Sequence, residues 1–375
     1  MTKIIHIIGA RPNFIKAFPV VKNLSDAGFL NLVLHTGQHF DKNMSKVFFE
    51  DLEMPQPDLN LNIGHKSQCQ QISEIIVGCE KYFSKEKPDL VFVYGDVNSS
   101  LAAAICANKM GIKIAHVESG LRSFDRDMPE EVNRTLVDSI SDILFLTCKD
   151  ALINLKKEGI DENKCYFVGN TMIDSLVNIT KKISNSNILN KLNLKKKEYA
   201  LVTLHRPSNV DCKNNLKNII NSINDLSKSI QCVFPIHPRT QKLLKKHRLY
   251  NPDVESVLFL KPLGYLDFMN LQKNSNFIIT DSGGIQEESS FFNVPCLTLR
   301  DNTERPVTIS NGTNYLIGSD PTKIRKYFKK IDYNRTSNIE CWDDKELLNE
   351  NVCALVTGGG YAEYVKCHKS TILPI

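Results

Sequence analysis

Apolar runs alternate along the chain with longer amphipathic stretches. Within the runs most consecutive positions are apolar and many are β-branched, which is typical of strands buried on both faces of a parallel sheet. The stretches between the runs have the length of helices, and this alternation predicts right-handed crossovers over parallel sheets. The predicted strands form two sets: Lys3–Gly9, Asn31–Gly37, Asp89–Gly95, Lys113–Glu118, Ile143–Thr147 and Cys165–Gly169, then Tyr199–His205, Gln231–His237, Ser256–Leu260, Phe277–Thr280, Cys296–Arg300 and Asn314–Gly318.

A polar segment separates the two sets of strands. Thr180–Lys197 is rich in lysine, asparagine and serine, which is typical of a surface connection or of the end of a long helix. A chain of 375 residues is also long for a single core. We therefore predict an α/β protein with two Rossmann-like, doubly wound parallel-sheet domains, 1–170 and 171–356. Such sheets bind ligands at the carboxyl ends of their strands, so we expect a ligand in the cleft that the two domains face.

Composition excludes several other classes of protein. Apolar residues make up 42% and charged residues 24% of the chain, as in ordinary folded proteins. No apolar run approaches the about 18 residues of a membrane-spanning helix. Residues 1–9 lack the cleavage site of a signal peptide and fit a buried first strand. We expect a soluble protein that does not associate with a membrane.

Cysteine usage and charge indicate in which cellular compartment the protein works and which partners it does not bind. The 11 cysteines are scattered and include no C-x-x-C pair, which argues against a disulfide framework and favours a reducing, cytoplasmic compartment. The net charge of +5 comes from lysines spread along the chain. Because no basic helix and no basic patch interleaved with aromatic residues is present, we do not expect the protein to bind nucleic acid.

The clearest local motif follows the predicted strand Phe277–Thr280. The segment Asp281–Gly284 leads from this strand into a predicted helix. Paired glycines let a phosphate approach the backbone, and a helix start offers free N–H groups and a positive dipole end. Glu287 and Glu288 fall in the first turn, where a carboxylate can reach sugar hydroxyls. Ser282 fits a simple N-cap about equally well, but the glycines favour a diphosphate site.

A second anion site is predicted after the first strand. Arg11 lies in the turn that follows this strand, and Lys16 lies near the start of the next helix. An arginine at such a place suits bidentate binding of phosphate, although both residues fit surface charges equally well. The G-x-G-x-x-G fingerprint occurs nowhere in the chain, so a tightly bound nicotinamide is disfavoured.

Acidic residues follow other predicted strands. Asp96 and Glu118 end neighbouring strands, at the edge where an open α/β sheet binds its ligand. Glu130 and Glu131 stand at a predicted helix start. Converging carboxylates can divide acid and base roles if their environments differ. Each can instead cap a helix or pair with a nearby arginine, and for Glu131 we prefer that interpretation.

Two histidines end strands of the second set. An imidazole at His205 or His237 can bind phosphate or shuttle a proton; we favour a function for His205 and a plain loop role for His237. Arg305 either holds a substrate phosphate or pairs with Glu304 or Asp301. No spacing of histidines or carboxylates is typical of a zinc or magnesium site, so we predict no metal.

Motifs with one characteristic order extend from Gly9 to about Gly318. They are Gly9-Ala10-Arg11-Pro12, Thr36-Gly37-Gln38-His39, Gly95-Asp96, His116-Val117-Glu118-Ser119-Gly120-Leu121-Arg122, Pro129-Glu130-Glu131-Val132-Asn133-Arg134, Gly169-Asn170-Thr171, Leu204-His205-Arg206, Asp281-Ser282-Gly283-Gly284-Ile285-Gln286-Glu287-Glu288 and Thr303-Glu304-Arg305-Pro306. Each motif alone is weak, but their order is specific. Together they resemble the non-hydrolysing UDP-N-acetylglucosamine 2-epimerase family, which has the two-domain architecture of B-type glycosyltransferases.

The resemblance implies roles for individual residues. It implies that UDP is held by Arg11, Ser282, Gly283, Gly284, Glu288 and Arg305, with Lys16 near the nucleotide. It implies that the sugar and its leaving group are surrounded by Asp96, Glu118, Glu130 and His205. Glu288 would contact the ribose hydroxyls, and the amides of the Ser-Gly-Gly segment would contact the diphosphate.

The resemblance also implies a reaction without a cofactor. Members of the family interconvert UDP-N-acetylglucosamine and UDP-N-acetylmannosamine by anti elimination of UDP to a 2-acetamidoglucal, followed by its re-addition. It further implies a cytoplasmic homodimer that supplies a precursor of cell-surface polysaccharide. By the same resemblance, the C-terminal tail 357–375 is a candidate to rejoin the first domain.

Other functions fit parts of the same pattern. The stretch His35–Asn62 looks closer to the branch that epimerises UDP-2,3-diacetamido-glucuronic acid, whereas Glu304-Arg305-Pro306 looks like the N-acetylglucosamine branch. A hydrolysing variant would release N-acetylmannosamine and UDP. A glycosyltransferase of the same fold needs an acceptor groove but not this set of carboxylates. A UDP-sugar-binding protein without catalysis would not need Asp96, Glu118 and Glu130 together.

Overall fold

The computed structural model describes residues 1–38, 54–64, 66–250 and 256–339, together with the backbone of two short strands, Tyr364–Val365 and Leu373–Pro374. Apart from those strands, the predicted tail 357–375 lies outside the described residues, as do residues 39–53. The chain divides into two compact units, residues 1–178 with 340–375 and residues 179–339. The domain limits given above stay a prediction.

The first unit alternates strands and helices. Its strands are β1 (Lys3–Ile8), β2 (Leu30–His35), β3 (Leu59–Asn60), β4 (Leu90–Tyr94), β5 (Lys113–Ser119), β6 (Ile143–Leu146) and β7 (Cys165–Phe167). Its helices are α1 (Arg11–Asp26), α2 (Gln68–Glu86), α3 (Asn98–Lys109), α4 (Pro129–Ile140) and α5 (Lys149–Lys157). The chain passes from the first unit to the second within α6 (Thr171–Ser184).

The seven strands of the first unit form one parallel sheet. Their order is β3-β2-β1-β4-β5-β6-β7, and every neighbouring pair is parallel. Because the order reverses at β1, the chain segments that leave the carboxyl ends of β1 and β4 turn to opposite faces of the sheet. A crevice therefore opens between these two strand ends, and the residues that follow them begin side by side.

An alanine-rich helix lets the backbone approach the sheet closely beside this crevice. Ala102, Ala103 and Ala104 of α3 have no exposed surface. They share one apolar cluster with Val91 and Val93 of β4. Small side chains bring α3, which begins just after the turn at the end of β4, close to the strands. This packing fixes the position of the turn.

The second unit repeats the alternation. Its strands are β8 (Tyr199–Thr203), β9 (Gln231–Pro235), β10 (Val257–Leu260), β11 (Phe277–Thr280), β12 (Cys296–Thr298) and β13 (Asn314–Leu316). Its helices are α7 (Ile188–Lys191), α8 (Pro207–Val210), α9 (Lys213–Ser227), α10 (Pro238–Lys246), α11 (Tyr265–Asn274), α12 (Gly283–Phe291), α13 (Val307–Ser310) and α14 (Lys323–Phe328).

The second sheet confirms the predicted fold class. Its order is β10-β9-β8-β11-β12-β13, again parallel throughout, and it reverses between β8 and β11. Each predicted strand is present in one of the two sheets. Within these two sheets the pattern missed β3, and outside them it missed the strands Tyr364–Val365 and Leu373–Pro374; each has two residues and is too short to show a periodicity. The polar segment Thr180–Lys197 contains the end of α6 and the short α7.

A fully buried histidine lies within the first sheet. His6 of β1 has its Nδ1 2.6 Å from the Tyr94 hydroxyl and its Nε2 2.9 Å from Asn31 Oδ1. An amide oxygen only accepts, so Nε2 carries the hydrogen and Nδ1 accepts from the tyrosine. Burial lowers the pKa of His6 to about 4, and the hydrogen bond with Asn31 opposes this only in part. The folded protein therefore holds His6 neutral.

This histidine makes the fold sensitive to mild acid. Between its ordinary pKa of 6.5 and its folded pKa of about 4, the unfolded chain binds a proton that the folded chain does not. The contribution of neutral His6 to the free energy of unfolding is therefore fully present above pH 6.5. It falls as the pH drops toward 4, and the free energy of unfolding is lower by about 2 kcal/mol at roughly pH 5. We expect His6→Gln to remove about this much of the loss between roughly pH 7 and pH 5, measured by urea denaturation. Equal losses in the variant and the original chain would contradict the prediction.

Candidate active site

The first group of predicted residues lies at the carboxyl ends of β1, β4 and β5. β5 ends irregularly, because its register with β6 shifts between Val117 and Ser119. At this bulge Glu118 has a φ of +69°, in the left-handed region that residues other than glycine seldom occupy. Its side chain is buried. Because backbone strain of this kind concentrates at functional sites, the geometry favours a functional role for Glu118.

Lys16 supplies a positive charge beside Glu118. It lies near the start of α1, is 5% exposed, and forms an ion pair with the Glu118 carboxylate. Gly95 lies against this pair, because a Cβ there would be 3.0 Å from Lys16 Nζ and 3.7 Å from Glu118 Oε2. Its φ is +60°, which glycine adopts without strain. The turn after β4 is therefore shaped around the ion pair.

Asp96, the next residue of this turn, is positioned by α4. Its carboxylate pairs with Arg134, a buried residue that also pairs with Glu131. Asn133 Nδ2 donates to the Asp96 carbonyl (2.8 Å). The Asp96 side chain is 26% exposed, so its carboxylate is held in place while remaining open to solvent.

The two glutamates that begin α4 have different environments. Glu131 is buried, and its carboxylate accepts from the backbone N–H groups of Ser123 (2.9 Å) and Phe124 (2.8 Å) in addition to its pairing with Arg134. These bonds fix the loop that precedes α4. Glu130, which is predicted to act on the sugar, is exposed in the first turn of the helix.

A buried histidine links the strand ends. His116 of β5 has no exposed surface. Its Nδ1 is 2.6 Å from Asp138 Oδ1, and its Nε2 is 3.0 Å from the carbonyl oxygen of Gly95. Both neighbours of the ring are acceptors, and a neutral imidazole can donate from only one nitrogen. The geometry therefore indicates that His116 is a buried imidazolium.

Asp138 of α4 neutralises two cations. Its Oδ2 lies 2.7 Å from Arg122 Nη2 and accepts from the Gly120 N–H (3.0 Å). Burial opposes ionisation of this carboxyl group, but the charges and hydrogen bonds of His116 and Arg122 hold its pKa below the ordinary value. This network ties the turns after β4 and β5 to α4. The sequence analysis did not single out Asp138. The one clue that the sequence offers is that this acidic residue falls on the buried face of an amphipathic helix.

The predicted diphosphate site lies where β11 meets α12. Ser282 is the N-cap of α12, but within the described part of the chain its side chain makes no capping hydrogen bond. A side-chain cap therefore does not explain this serine. The first N–H groups of a helix have no partner within it and carry the positive end of its dipole. Gly283 and Gly284 begin this helix, so its start can donate to an anion.

Arg305 lies against the start of α12. A Cβ at Gly283 would be 2.7 Å from Arg305 Nη1 and 2.5 Å from Glu304 Oε1, so a glycine leaves room for both. Arg305 pairs with Glu304, and its Nε is 2.7 Å from Glu287 Oε2. Arg300 Nη2 is 2.7 Å from Glu304 Oε2. Arg300, Arg305, Glu304 and Glu287 form one buried cluster beside the helix start. The sequence did not predict the pairing of Arg305 with Glu287.

Glu288, the predicted ribose contact, has different surroundings from its neighbour. Glu287 and Glu288 are both buried, and the prediction that they fall in the first turn of α12 is wrong, because the helix begins at Gly283 and its first turn holds no acidic residue. The side-chain amide of Gln272 is oriented so that its oxygen accepts from the Ser289 N–H (3.1 Å). In this orientation its nitrogen donates to Glu288 Oε2 (3.2 Å). The pairing with Arg305 thus belongs to Glu287, and the role of Glu288 toward a ribose stays a prediction.

His205 follows β8 and contacts the residue that follows β11. Its Nδ1 lies 3.0 Å from Asp281 Oδ1, and its ring is tilted against that of His237, with the two centroids 6.0 Å apart. The His205 side chain is 44% exposed, whereas that of Asp281 is fully buried. Because β8 and β11 are the strands between which the order reverses, this pair stands at the crevice of the second sheet.

Arg11 is the remaining residue predicted to contact the nucleotide. It begins α1, but its side chain lies outside the described part of the structure. Among the described residues, no group of three or more histidine, cysteine, aspartate or glutamate side chains suits a metal ion. In the same part of the chain, no helix combines the length and apolar character needed to span a bilayer.

Comparison with known proteins identifies the family. The sequence model of the family described as UDP-N-acetylglucosamine 2-epimerase matches residues 22–346. This chain belongs to that family. A UDP-N-acetylglucosamine 2-epimerase homolog of Methanococcus maripaludis is 49% identical over 334 residues, which cover 88% of this chain and 92% of the relative. The resemblance inferred from the motifs is confirmed.

Structures and relatives of this epimerase family refine the likeness. The crystal structure of the Methanocaldococcus jannaschii UDP-GlcNAc 2-epimerase in complex with UDP-GlcNAc and UDP matches with a TM-score of 0.85 at 43% identity, over 90% of this chain and 95% of that one. A UDP-2,3-diacetamido-2,3-dideoxy-D-glucuronate 2-epimerase of Pseudomonas aeruginosa is 41% identical over 322 residues, 84% of this chain and 88% of the relative. Two substrate classes therefore occur among similar members of the family.

The buried network predicts a large cost for removing one carboxylate. Asp138→Asn leaves the His116 imidazolium without its counter-charge and leaves the Arg122 guanidinium with only the partly exposed Glu158, and breaking a buried ion pair costs about 3–5 kcal/mol. We expect a loss of this size in the free energy of unfolding at neutral pH, measured by urea denaturation.

A second carboxylate provides the matched control. Glu158 also pairs with Arg122 (2.6 Å), but its side chain is 32% exposed. Exposed ion pairs contribute about 1 kcal/mol or less, so Glu158→Gln is expected to be nearly neutral. Similar losses in the two variants would show that Asp138 does not have the role that the network assigns to it.

Proposed function

We propose that this member of the epimerase family catalyses the reversible interconversion of UDP-N-acetylglucosamine and UDP-N-acetylmannosamine, by elimination and re-addition of UDP. The observation that carries the proposal is the buried Lys16–Glu118 pair on a strained bulge, directly beside the turn that bears Asp96. The similarity to an epimerase crystallised with UDP-GlcNAc and UDP supports the choice of substrate.

The chemistry of the substrate explains why an elimination is required. The hydrogen at C2 of an N-acetylhexosamine is not acidic, because no carbonyl carbon adjoins C2 within the ring. When UDP departs from C1, the electron pair of the C2–H bond forms the C1–C2 double bond and the C2 proton passes to a base. Return of UDP to C1, with a proton delivered to the opposite face of C2, produces the epimer. No oxidant or reductant enters this sequence.

The second unit is proposed to bind the nucleotide. Departing UDP carries negative charge, and hydrogen-bond donors fixed in place stabilise such charge without reorganising. The start of α12, with Ser282, Gly283 and Gly284, and the adjacent Arg305 are the proposed contacts of the diphosphate. Glu288 is proposed to bind the ribose.

The first unit is proposed to supply the groups that move the C2 proton. Glu118 is the preferred base, because its bulge and its pairing with Lys16 hold it in one position. Asp96 is held by Arg134 and its side chain is 26% exposed, so its carboxylate is accessible to a substrate. Glu130 of the same unit and His205 of the second unit are the further proposed members of the site. Arg11 is proposed to contact the nucleotide.

A second substrate has specific support. The Pseudomonas aeruginosa relative, at 41% identity, is a 2-epimerase of UDP-2,3-diacetamido-2,3-dideoxy-D-glucuronate. A hydrolysing variant would use the same elimination and release the sugar. We place the chain in the N-acetylglucosamine branch on the motif Glu304-Arg305-Pro306, and propose that it acts as a cytoplasmic homodimer in the synthesis of cell-surface polysaccharide.

Turnover in deuterium oxide tests the proposal. The proton returned to C2 comes from a group that exchanges with solvent, so UDP-N-acetylglucosamine is expected to yield UDP-N-acetylmannosamine labelled at C2, as seen by NMR. Free N-acetylmannosamine would indicate the hydrolysing variant instead. Turnover of only the diacetamido-glucuronate would move the chain to the other branch, and no labelling of any UDP-hexosamine would end the proposal.

Glu118→Gln separates proton transfer from nucleotide binding. The amide keeps the shape of the side chain but cannot take a proton, so we expect C2 labelling to fall by at least about a hundredfold while UDP affinity changes little. Glu74→Gln is the matched control, because Glu74 is an exposed carboxylate of the same unit that pairs with Lys66. Near-normal labelling in Glu118→Gln would refute the assigned role.

Gly283→Ala tests the nucleotide site. The added methyl group would fall 2.7 Å from Arg305 Nη1 and 2.5 Å from Glu304 Oε1, and so displaces the arginine from the helix start. Hydrogen bonds to a charged group contribute about 1.5–3 kcal/mol, so UDP affinity is expected to fall about tenfold or more by calorimetric titration. Unchanged affinity would place the diphosphate elsewhere.

A further inference from the structure

Asp281 is a buried carboxylate whose described contacts are all donors. It accepts from the backbone N–H groups of His205 (3.1 Å) and Arg206 (2.9 Å) and from Asn209 Nδ2 (3.2 Å). Its Oδ1 lies 3.0 Å from His205 Nδ1. Burial opposes its ionisation. The hydrogen bond and charge of His205, the backbone N–H of Arg206 and the side-chain hydrogen bond of Asn209 nevertheless hold the pKa of Asp281 below its ordinary value. The group is therefore a carboxylate, which can only accept hydrogen bonds.

This contact decides where His205 carries its hydrogen. Because the carboxylate only accepts, the ring nitrogen that faces it must donate, so Nδ1 bears a hydrogen. The other nitrogen, Nε2, is on the opposite edge of a ring whose side chain is 44% exposed. A neutral imidazole held in this way has the lone pair on Nε2, and a protonated one has an Nε2–H with a carboxylate behind it.

We infer that Asp281 is a positioning residue that keeps His205 in the Nδ1–H form, so that Nε2 can exchange a proton with the leaving diphosphate. This inference rests on the proposed function. In the elimination direction the C1–O bond breaks, its electron pair stays on the β-phosphate oxygen, and the Nε2 proton passes to that oxygen while the C2 proton passes to the base. In re-addition Nε2 takes its proton back. Each step balances without a further reactant.

The fold places the two residues and the anion site together. His205 follows β8 and Asp281 follows β11, and these strands are paired, with Thr203 opposite Thr280. Ser282, the N-cap of α12, is the next residue after Asp281. The proposed phosphate donors and the carboxylate that orients His205 therefore belong to one short segment of the chain.

Asp281→Asn is expected to reverse the tautomer. An asparagine can keep its Oδ1 toward the backbone N–H of Arg206 and the side chain of Asn209, and its NH2 group then faces His205 Nδ1. Nδ1 must become the acceptor and the hydrogen moves to Nε2, which can no longer accept a proton. Long-range proton–nitrogen NMR of labelled protein distinguishes the two tautomers directly. We expect neutral His205 to be Nδ1–H in the original chain and Nε2–H in the variant.

Asn209→Ala is the matched structural control. Asn209 Nδ2 donates to Asp281 and also to the Leu299 carbonyl (3.0 Å), so its removal loosens the same region while the carboxylate remains. The Nδ1–H tautomer is expected to persist in this variant. An Nδ1–H tautomer that also persists in Asp281→Asn overturns the inference. Should Asp281→Asn not fold, the original chain decides alone, and an Nε2–H tautomer there overturns it.

A double-mutant cycle tests whether Asp281 acts through His205. We expect Asp281→Asn and His205→Gln each to lower kcat by about a hundredfold or more, as for loss of a general acid. If the carboxylate works through the histidine, the double variant is no slower than His205→Gln, whereas additive losses overturn the inference. Absence of turnover in the original chain would instead refute the proposed function, and the tautomer measurement would still stand.

Discussion

The arrangement of the first unit depends on the absence of a side chain at residue 95. Gly95 leaves room for the Lys16–Glu118 ion pair, and its positive φ turns the chain toward Asp96. The same residue offers its carbonyl oxygen to the buried His116. A Cβ there would lie 3.0 Å from Lys16 Nζ, so the lysine would have to shift by a few tenths of an ångström, and the positive φ would add backbone strain. Turn, ion pair and strand end therefore form a single structural unit.

Charge is balanced locally at each strand end. Arg134 serves two carboxylates, Asp138 serves two cations, and Arg305 contacts two glutamates. Because buried charges need partners, each cluster allows few arrangements of the loops that carry it. Groups held in this way keep one position before a ligand binds, as the proposed stabilisation of a departing diphosphate requires.

The two units use one topology for different chemistry. In both sheets the strand order reverses next to the first strand of the unit, and polar residues follow the strands on either side of the reversal. In the first unit the segments after β1 and β4 carry Lys16 and Asp96, and the end of the neighbouring strand β5 carries Glu118. In the second they carry a histidine, a buried carboxylate and a helix start that can bind an anion. The likeness is in the fold, since the sequence has no repeat.

The sequence by itself determined the fold class, the family and all strands of the two large sheets except the two-residue β3. A buried parallel strand requires consecutive apolar residues, and a glycine-rich helix start requires a recognisable short motif, so both appear locally in the chain. Only the tertiary structure decided which charged groups meet. The pairs Lys16–Glu118, His116–Asp138 and Arg305–Glu287 join distant segments. Their distances depend on strand order and register, which no local pattern records, and therefore neither the contacts of Asp138 nor those of Asp281 were visible beforehand.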